Sequence, residues 1–487
     1  MTTPLPALRD FSDRLSPMVV KEMRQGLRTR FFTAALILFH VVLGCLMMAY
    51  VSSLDHRQIH EMFWTIISVT LLAVLPSRGF DALHAEIKDG TLDTLLLTGM
   101  PSFRIVWGKW VSLFSQTLLV TGSLLPYMIV RYQFGGVEIV RELISLAALV
   151  VGSGLATASL VGLSSQSLKL VRLLAAALTG IGVFAIGIFA YFTACNQSAG
   201  QEVVRALTAY GLPAAIAILL WLLLLAVYLG YVFLGVGSAR LPGLPDSHAL
   251  VKRKAAFVMM IVLGAVSWWI HLARPGGLSG YNAQNVIVWA SFLPSLLLVM
   301  LLGMDLCTEE VPPASPGRFS FLSRPGWPSG VFIILGLSVS PMLSHEALLS
   351  TTTRSSSLMS WHFTTSFLIA CLLPLCLPTG PWLARISPLS RWWLVQMVLG
   401  ILGFLLVATA EAARSSDRIF FGYLGLVTPV TSLFTTIGVR TADRESISML
   451  GIVANSVWML IAVLFACGRL NRHRRECALL NDHEPYA

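Results

Sequence analysis

Long runs of apolar residues alternate with short polar stretches along the whole chain. Each run is about 18–25 residues, the length a helix rising 1.5 Å per residue needs to cross a hydrocarbon core of about 30 Å. The runs place spans at roughly 31–52, 61–78, 109–130, 143–164, 172–194, 206–235, 255–273, 285–304, 330–344, 361–380, 392–411 and 449–468, about twelve in all. The run at 330–344 is short, and Pro341, His345 and Glu346 weaken it. A further run, 419–438, is broken by Gly425, Pro429 and Gly438. It reads as a re-entrant or interfacial hairpin, because irregular backbone at membrane depth must be covered by protein. The pattern predicts an all-α polytopic membrane protein.

Composition supports that class and removes others. Apolar residues make up 56% and charged residues 12% of the 487, against about 25% charged in an average soluble domain. A soluble enzyme, a disordered chain and a fibrous protein are excluded. The net charge of +10 would suggest nucleic acid in a soluble protein; here the basic residues lie between apolar runs and report orientation, so no nucleic-acid partner is expected. With the N-terminus in the cytoplasm and twelve alternating spans, the inner segments hold 24 of the 34 Lys and Arg. Cytoplasmic loops carry the basic excess, so both termini are placed inside a plasma membrane, with a bacterial inner membrane as the expected setting. The first run starts after 30 largely polar residues, so it reads as a retained span and not a secretory signal. The seven cysteines fit neither a zinc site nor a disulfide framework, and no metal ligands are expected.

The clearest seam is 237–254, polar, with Pro and Gly and a basic end at Lys252–Arg253–Lys254. It divides the chain into a cytoplasmic N-terminus (1–30), a six-span unit (31–236), a linker (237–254), a second six-span half (255–468) and a cytoplasmic tail (469–487). Two segments carry most information. In 16–31, Ser16 can cap a helix with Pro17 at its first position. Val20, Met23, Leu27 and Phe31 share one face and Lys21, Arg24, Gln25 and Arg28 the other, the pattern of a basic amphipathic helix lying at a membrane surface. In 79–109, Asp89–Gly90 signals a turn. Thr91 can cap a short helix with Asp93 in its first turn, Leu92, Leu95, Leu96 and Leu97 make it apolar, and Gly99 can end it. Leucines on so short a cytoplasmic helix need a partner, or must pack on the chain's own span ends.

The pattern Lys21-Glu22-x-Arg24-x3-Arg28-x-Arg30, then Glu86-x3-Gly90-Thr91-Leu92-Asp93-x2-Leu96-Leu97-Thr98 and Arg104-Ile105-Val106-x-Gly108-Lys109, resembles ABC-2 type transporter permeases. The match covers residues 17–110, while the later spans agree only in layout. The resemblance implies a membrane subunit of an ATP-driven transporter, an exporter, energised by a separate ATP-binding cassette ATPase. Glu86, Gly90, Thr91, Leu92, Asp93, Leu96 and Leu97 would form the coupling segment on which that ATPase docks. Lys21, Arg24 and Arg28 would belong to the interfacial helix at the lipid bilayer. ATP and Mg would sit on the partner, with no cofactor on this chain. The sequence departs from the family at Thr98-Gly99-Met100-Pro101-Ser102, where members often carry a Thr-Pro-Leu-Ser type turn, and in having about twelve spans where many members have six. The equivalent loop of the second half, 305–329, is rich in Pro and Gly and has no Leu-rich helix. That favours a homodimer with one docking site per chain over two sites in one chain.

No catalytic motif is expected. Gly108–Lys109 lacks the other residues of a phosphate loop, Leu278-Ser279-Gly280 is a chance echo of an ABC signature, and His345–Glu346 lacks the second His of a zinc protease motif. Asn196-Gln197-Ser198 fits a glycosylation sequon. Ionisable residues inside the spans are His40, His271, His362 and Glu411. Their scarcity argues against the main rival, a secondary carrier of two six-span halves, which needs buried charge on its path. A non-transport membrane scaffold is the other rival. Gly154, Ala158 and Gly162 form a small-residue ladder that permits close helix approach, within the chain or across a dimer.

Overall fold

In a computed structural model of the chain, the structure describes residues 17–52, 56–90, 101–133, 138–166, 168–196, 211–239, 249–272, 327–350, 357–376, 388–412 and 441–482, with a few isolated positions between them. Among these residues the chain is helical and has no strand. The helices are α1 (Pro17–Leu27), α2 (Arg30–Ser52), α3 (His56–Val69), α4 (Ala82–Lys88), α5 (Ser102–Gln133), α6 (Ile139–Leu163), α7 (Lys169–Cys195), α8 (Gly211–Ala239), α9 (Ala249–Leu272), α10 (Trp327–Ser350), α11 (Ser357–Cys376), α12 (Pro388–Ala412) and α13 (Thr441–Asp482). Between α3 and α4 lie a π-helical turn (Thr70–Val74) and a 3₁₀ turn (Pro76–Gly79). Seven stretches among the described residues are long and apolar enough to cross a bilayer: α2, the α3–α4 arm, α5, α6, α7, and parts of α8 and α13. The chain is therefore an all-α, membrane-embedded protein. Apolar side chains such as Ile181 and Phe184 on α7 stand about two-thirds exposed, as expected of residues meeting lipid chains.

Contacts divide the chain into two units, residues 1–208 with 233–242 and residues 209–232 with 243–487. In the first unit, Leu43, Phe63, Trp64, Ile67, Leu71, Leu124 and Leu149 are at most 1% exposed and form the main core between α2, α3, α5 and α6. A smaller core joins Leu83, Ile105, Val106, Ala158, Val161 and Leu234 at the far end. The small-residue ladder is spent inside this unit. Gly154 lies against the Phe114 ring and accepts a 2.9 Å hydrogen bond on its carbonyl from Trp110 Nε1. At Gly162 the backbone of α6 meets that of α8, and a Cβ there would run into the Phe233 carbonyl.

The second unit is centred on Tyr228, Leu263, Ile334, Leu368, Leu372 and Ala466. Polar side chains bind its helices together. Asn455 Nδ2 on α13 donates to Thr365 Oγ1 (3.1 Å) and Ser366 Oγ (2.9 Å) on α11. Arg253 on α9 donates to Ser329 on α10 at 2.9 Å, and Trp392 Nε1 on α12 donates to the Cys371 carbonyl at 2.9 Å. The short run read at 330–344 lies in α10, which continues through Pro341 to Ser350. The span expected at 285–304 lies almost wholly outside the described residues, and the hairpin expected at 419–438 entirely so.

Three spans of the first unit differ from their hydropathy bounds. The α3–α4 arm covers 56–88 where 61–78 was expected, α5 covers 102–133 where 109–130 was expected, and α6 begins at Ile139 where 143 was expected. In each case apolarity stops at a charge, but the helix does not, because the charged side chain finds a partner on a neighbouring helix.

Candidate functional site

Helix α5 organises the candidate site. Its buried face reads Ile105, Lys109, Ser112, Gln116, Val120, Leu124, Met128 and Arg131, steps of three and four that mark one side of a helix. The stripe begins and ends on a cation. Lys109 and Arg131 are 22 positions apart, about 33 Å along the axis, close to the hydrocarbon thickness of about 30 Å. Each cation is buried and each holds a cluster.

At the Lys109 end, Lys109 Nζ lies 2.6 Å from Glu86 Oε1 on α4 and 3.5 Å from Glu22 Oε1 on α1. One ammonium thus ties three helices. Beside it α1 crosses α5 at Gly26, where a Cβ would clash with the Gln116 side chain, and Gln116 in turn accepts from Arg78. The α4 turn is fixed to the end of α6 by a 3.1 Å bond from the Leu83 N–H to Ser164 Oγ, and Arg172 on α7 stands 3.6 Å from Asp81.

The helix over 17–27 forms and starts at Pro17, but its faces are not those the apolar spacing gave. Val19 and Gly26 are the buried positions, Val20 and Met23 are half-buried, and Leu27 and Phe31 are 37% and 51% exposed. The reason is Gly26: its missing side chain lets α1 sit close on α5, and this turns Leu27 outward. Lys21, Arg24 and Arg28 are exposed. Glu86 faces inward to Lys109 with its side chain 19% exposed. Gly90, where Asp89–Gly90 signalled a turn, has φ +68°, in the left-handed region. Thr91, Leu92, Asp93, Leu96 and Leu97 lie outside the described residues.

At the other end, Arg131 is fully buried. Its Nη2 lies 2.9 Å from Glu142 Oε1 on α6, it bonds His60 Nδ1 on α3, and its guanidinium carbon sits 4.1 Å above the Phe63 ring. His60 Nε2 is 3.2 Å from the Ala194 carbonyl on α7, so four helices meet here. Arg141 pairs with Glu138 at 2.8 Å alongside. The sequence reading assigned His60, Arg131 and Glu142 to loops and missed the cluster. The signal that reveals it is the phase of α5: 22 residues at 100° each return to within about 40° of the starting face, so Lys109 and Arg131 belong to one buried stripe.

His40 is accounted for locally, with Nδ1 2.8 Å from the Leu36 carbonyl. In the sequon, Asn196 Oδ1 accepts from the Ser198 N–H (3.1 Å) and hydroxyl (2.7 Å). Among the described residues no group of three His, Cys, Asp or Glu is placed to hold a metal. Comparison of the chain with family models, with curated proteins and with solved structures finds no match.

Proposed function

We propose that this chain is the membrane subunit of an ATP-driven ABC-2-like exporter, energised by a separate ATP-binding cassette ATPase that docks on the 79–109 region. The observation that carries the reading is Lys109, which ion-pairs with Glu22 of the amphipathic helix α1 and with Glu86 at the base of the Leu-rich segment. The two features that resemble the family are thereby joined into one patch. A force applied to residues 91–97 would enter α5 through the Glu86–Lys109 contact and shift packed helices as rigid bodies. In this reading the chain has about twelve spans and a re-entrant 419–438, both termini face the cytoplasm of a bacterial inner membrane, and Lys109 marks the cytoplasmic boundary. ATP and Mg belong to the partner, and two chains pair with one docking site each.

The test is purification of the chain, tagged at its C-terminus, from native membranes in mild detergent. Co-purification of an ATPase bearing a phosphate loop, lost in Asp93→Lys with Leu96→Glu, is the expected result. A folded chain that purifies without any ATPase overturns the proposal. Glu86 is left intact in this test because its substitution would also break an internal ion pair.

One observation favours a second reading. Arg131 and Glu142 are buried together within the apolar helices, with His60 half-buried beside them, and buried charge is what a secondary carrier requires. Their place at helix ends, about 33 Å from Lys109, fits a membrane boundary better than the midplane where carrier sites lie. Proton uptake by vesicles holding the ATPase-free chain, abolished by Glu142→Gln, would favour the carrier.

A further inference from the structure

We propose that residues 70–79 are a hinge in the α3–α4 arm, allowing the Glu86 end to move against α5 while the His60 end stays fixed. The proposal stands independently of which partner or energy source drives the chain.

The arm runs beside α5 and is pinned to it twice. His60 meets Arg131 at one end and Glu86 meets Lys109 at the other. A straight α-helix between two such rungs would be a rod, and any shift at Glu86 would appear at His60. This arm is not a straight α-helix. The α3 pattern gives way to a π turn over Thr70–Val74, where the Leu75 N–H bonds the Thr70 carbonyl at 3.1 Å. It then tightens to a 3₁₀ turn over Pro76–Gly79, with the Phe80 N–H on the Ser77 carbonyl at 3.1 Å. Pro76 has no N–H to give, so the hydrogen-bond ladder is interrupted between the two turns. A π turn followed at once by a 3₁₀ turn inside one span is the irregularity that marks hinges.

The segment also has a fulcrum. A Cβ at Gly79 would lie 3.1–3.3 Å from Val161 and Leu160 on α6, so the bare glycine backbone rests on α6 just beyond the break. Past it, Leu83 and Asp81 attach the short α4 to the ends of α6 and α7. The two sides of the break are therefore held by different contacts. Phe63, Trp64 and Ile67, with Leu71, Leu72 and Leu75 of the π turn and its end, belong to the main core, and Leu83 belongs to the smaller core, so the boundary between the two falls at the Pro76–Gly79 turn. A joint between two separately packed bodies is where a helical arm can flex at least cost.

The test uses the full chain in nanodiscs, with its native cysteines replaced. Spin labels at exposed Ala85 and Arg104 report the Glu86 end, and labels at exposed Met62 and Tyr132 report the Arg131 end. Dipolar EPR is recorded before and after Glu86→Gln, and before and after Glu142→Asp, which keeps the charge balance. Glu86→Gln is expected to broaden only the 85/104 distance, and Glu142→Asp only the 62/132 distance. In hydrogen exchange, Glu86→Gln is expected to speed exchange over 70–88 and leave 56–69 unchanged. If either substitution moves both pairs together, or if faster exchange spreads through 56–69, the arm is a rod and the proposal is overturned. A Glu86→Gln chain whose 85/104 distance does not change overturns it as well, because the rung then does not hold the arm.

Discussion

Replacing Glu142 by Gln should destabilise the first unit far more than removing the whole ion pair. At 2.9 Å, the gross attraction between Arg131 and Glu142 is about 6 kcal/mol at an effective dielectric constant of 20. Most of this only offsets the desolvation of two charges, so breaking one partner of a buried pair costs about 3–5 kcal/mol through the charge left behind. Phe63, 4.1 Å from the guanidinium, returns about 1–2 kcal/mol of that by cation–π attraction. The net expectation for Glu142→Gln is a loss of about 2–3 kcal/mol. Arg131→Met with Glu142→Leu removes both charges, keeps the volume, and should fall within about 1 kcal/mol of the parent chain. Reversible unfolding of the purified protein by SDS in mixed micelles, followed by tryptophan fluorescence, is measured for the parent, Arg131→Met, Glu142→Leu and the double change, the four corners of the cycle, with Glu142→Gln beside them. With about 2–3 kcal/mol lost on removing Glu142, about 3–5 on removing Arg131 and about 1 on removing both, a coupling energy of about 4 kcal/mol or more is expected; additivity to within about 0.5 kcal/mol would refute the claim that the two charges are desolvated together.

Other substitutions probe the remaining contacts. Gly162→Ala places a Cβ against the Phe233 carbonyl and should cut the yield of folded monomer by size exclusion, whereas Gly180→Ala, with nothing within 4 Å of its Cβ, should leave the yield unchanged; equal behaviour would contradict the close α6–α8 crossing. Lys109→Met leaves Glu22 and Glu86 unbalanced beside one another and should cost about 2–4 kcal/mol, partly restored by Glu86→Gln in the same chain, as read in the same SDS titration. Asn455→Val removes two hydrogen bonds from the α11–α13 seam and should cost about 0.6–1.7 kcal/mol, the range of such bonds between membrane helices; no measurable loss would show that the seam is held by packing alone.

Among the described residues, the seven long apolar helices were legible in the sequence because apolar length and the bilayer set them together. The helix start at Pro17 and the turn at Gly90 were legible for local reasons: proline fits a first turn, and glycine takes φ +68° without strain. Helix ends were not legible. Hydropathy falls at Lys109, Arg131, Glu142 and His60, yet the helices run on because each charge is answered by a side chain from another helix. Apolar spacing alone likewise could not orient α1, whose seating depends on Gly26 meeting Gln116 across α5. The ladder of Gly154, Ala158 and Gly162 announced a close approach, but only the structure names Phe114 and the Phe233 backbone as what approaches.

The proposed docking of an ATPase on the Leu-rich segment is tested most directly by placing a photoreactive residue at Leu96 in the native host and identifying what it captures by mass spectrometry. The account predicts a crosslink to a soluble phosphate-loop ATPase, lost when Asp93 is changed to Lys. A well-expressed, folded chain that crosslinks only to itself or to lipid would contradict it.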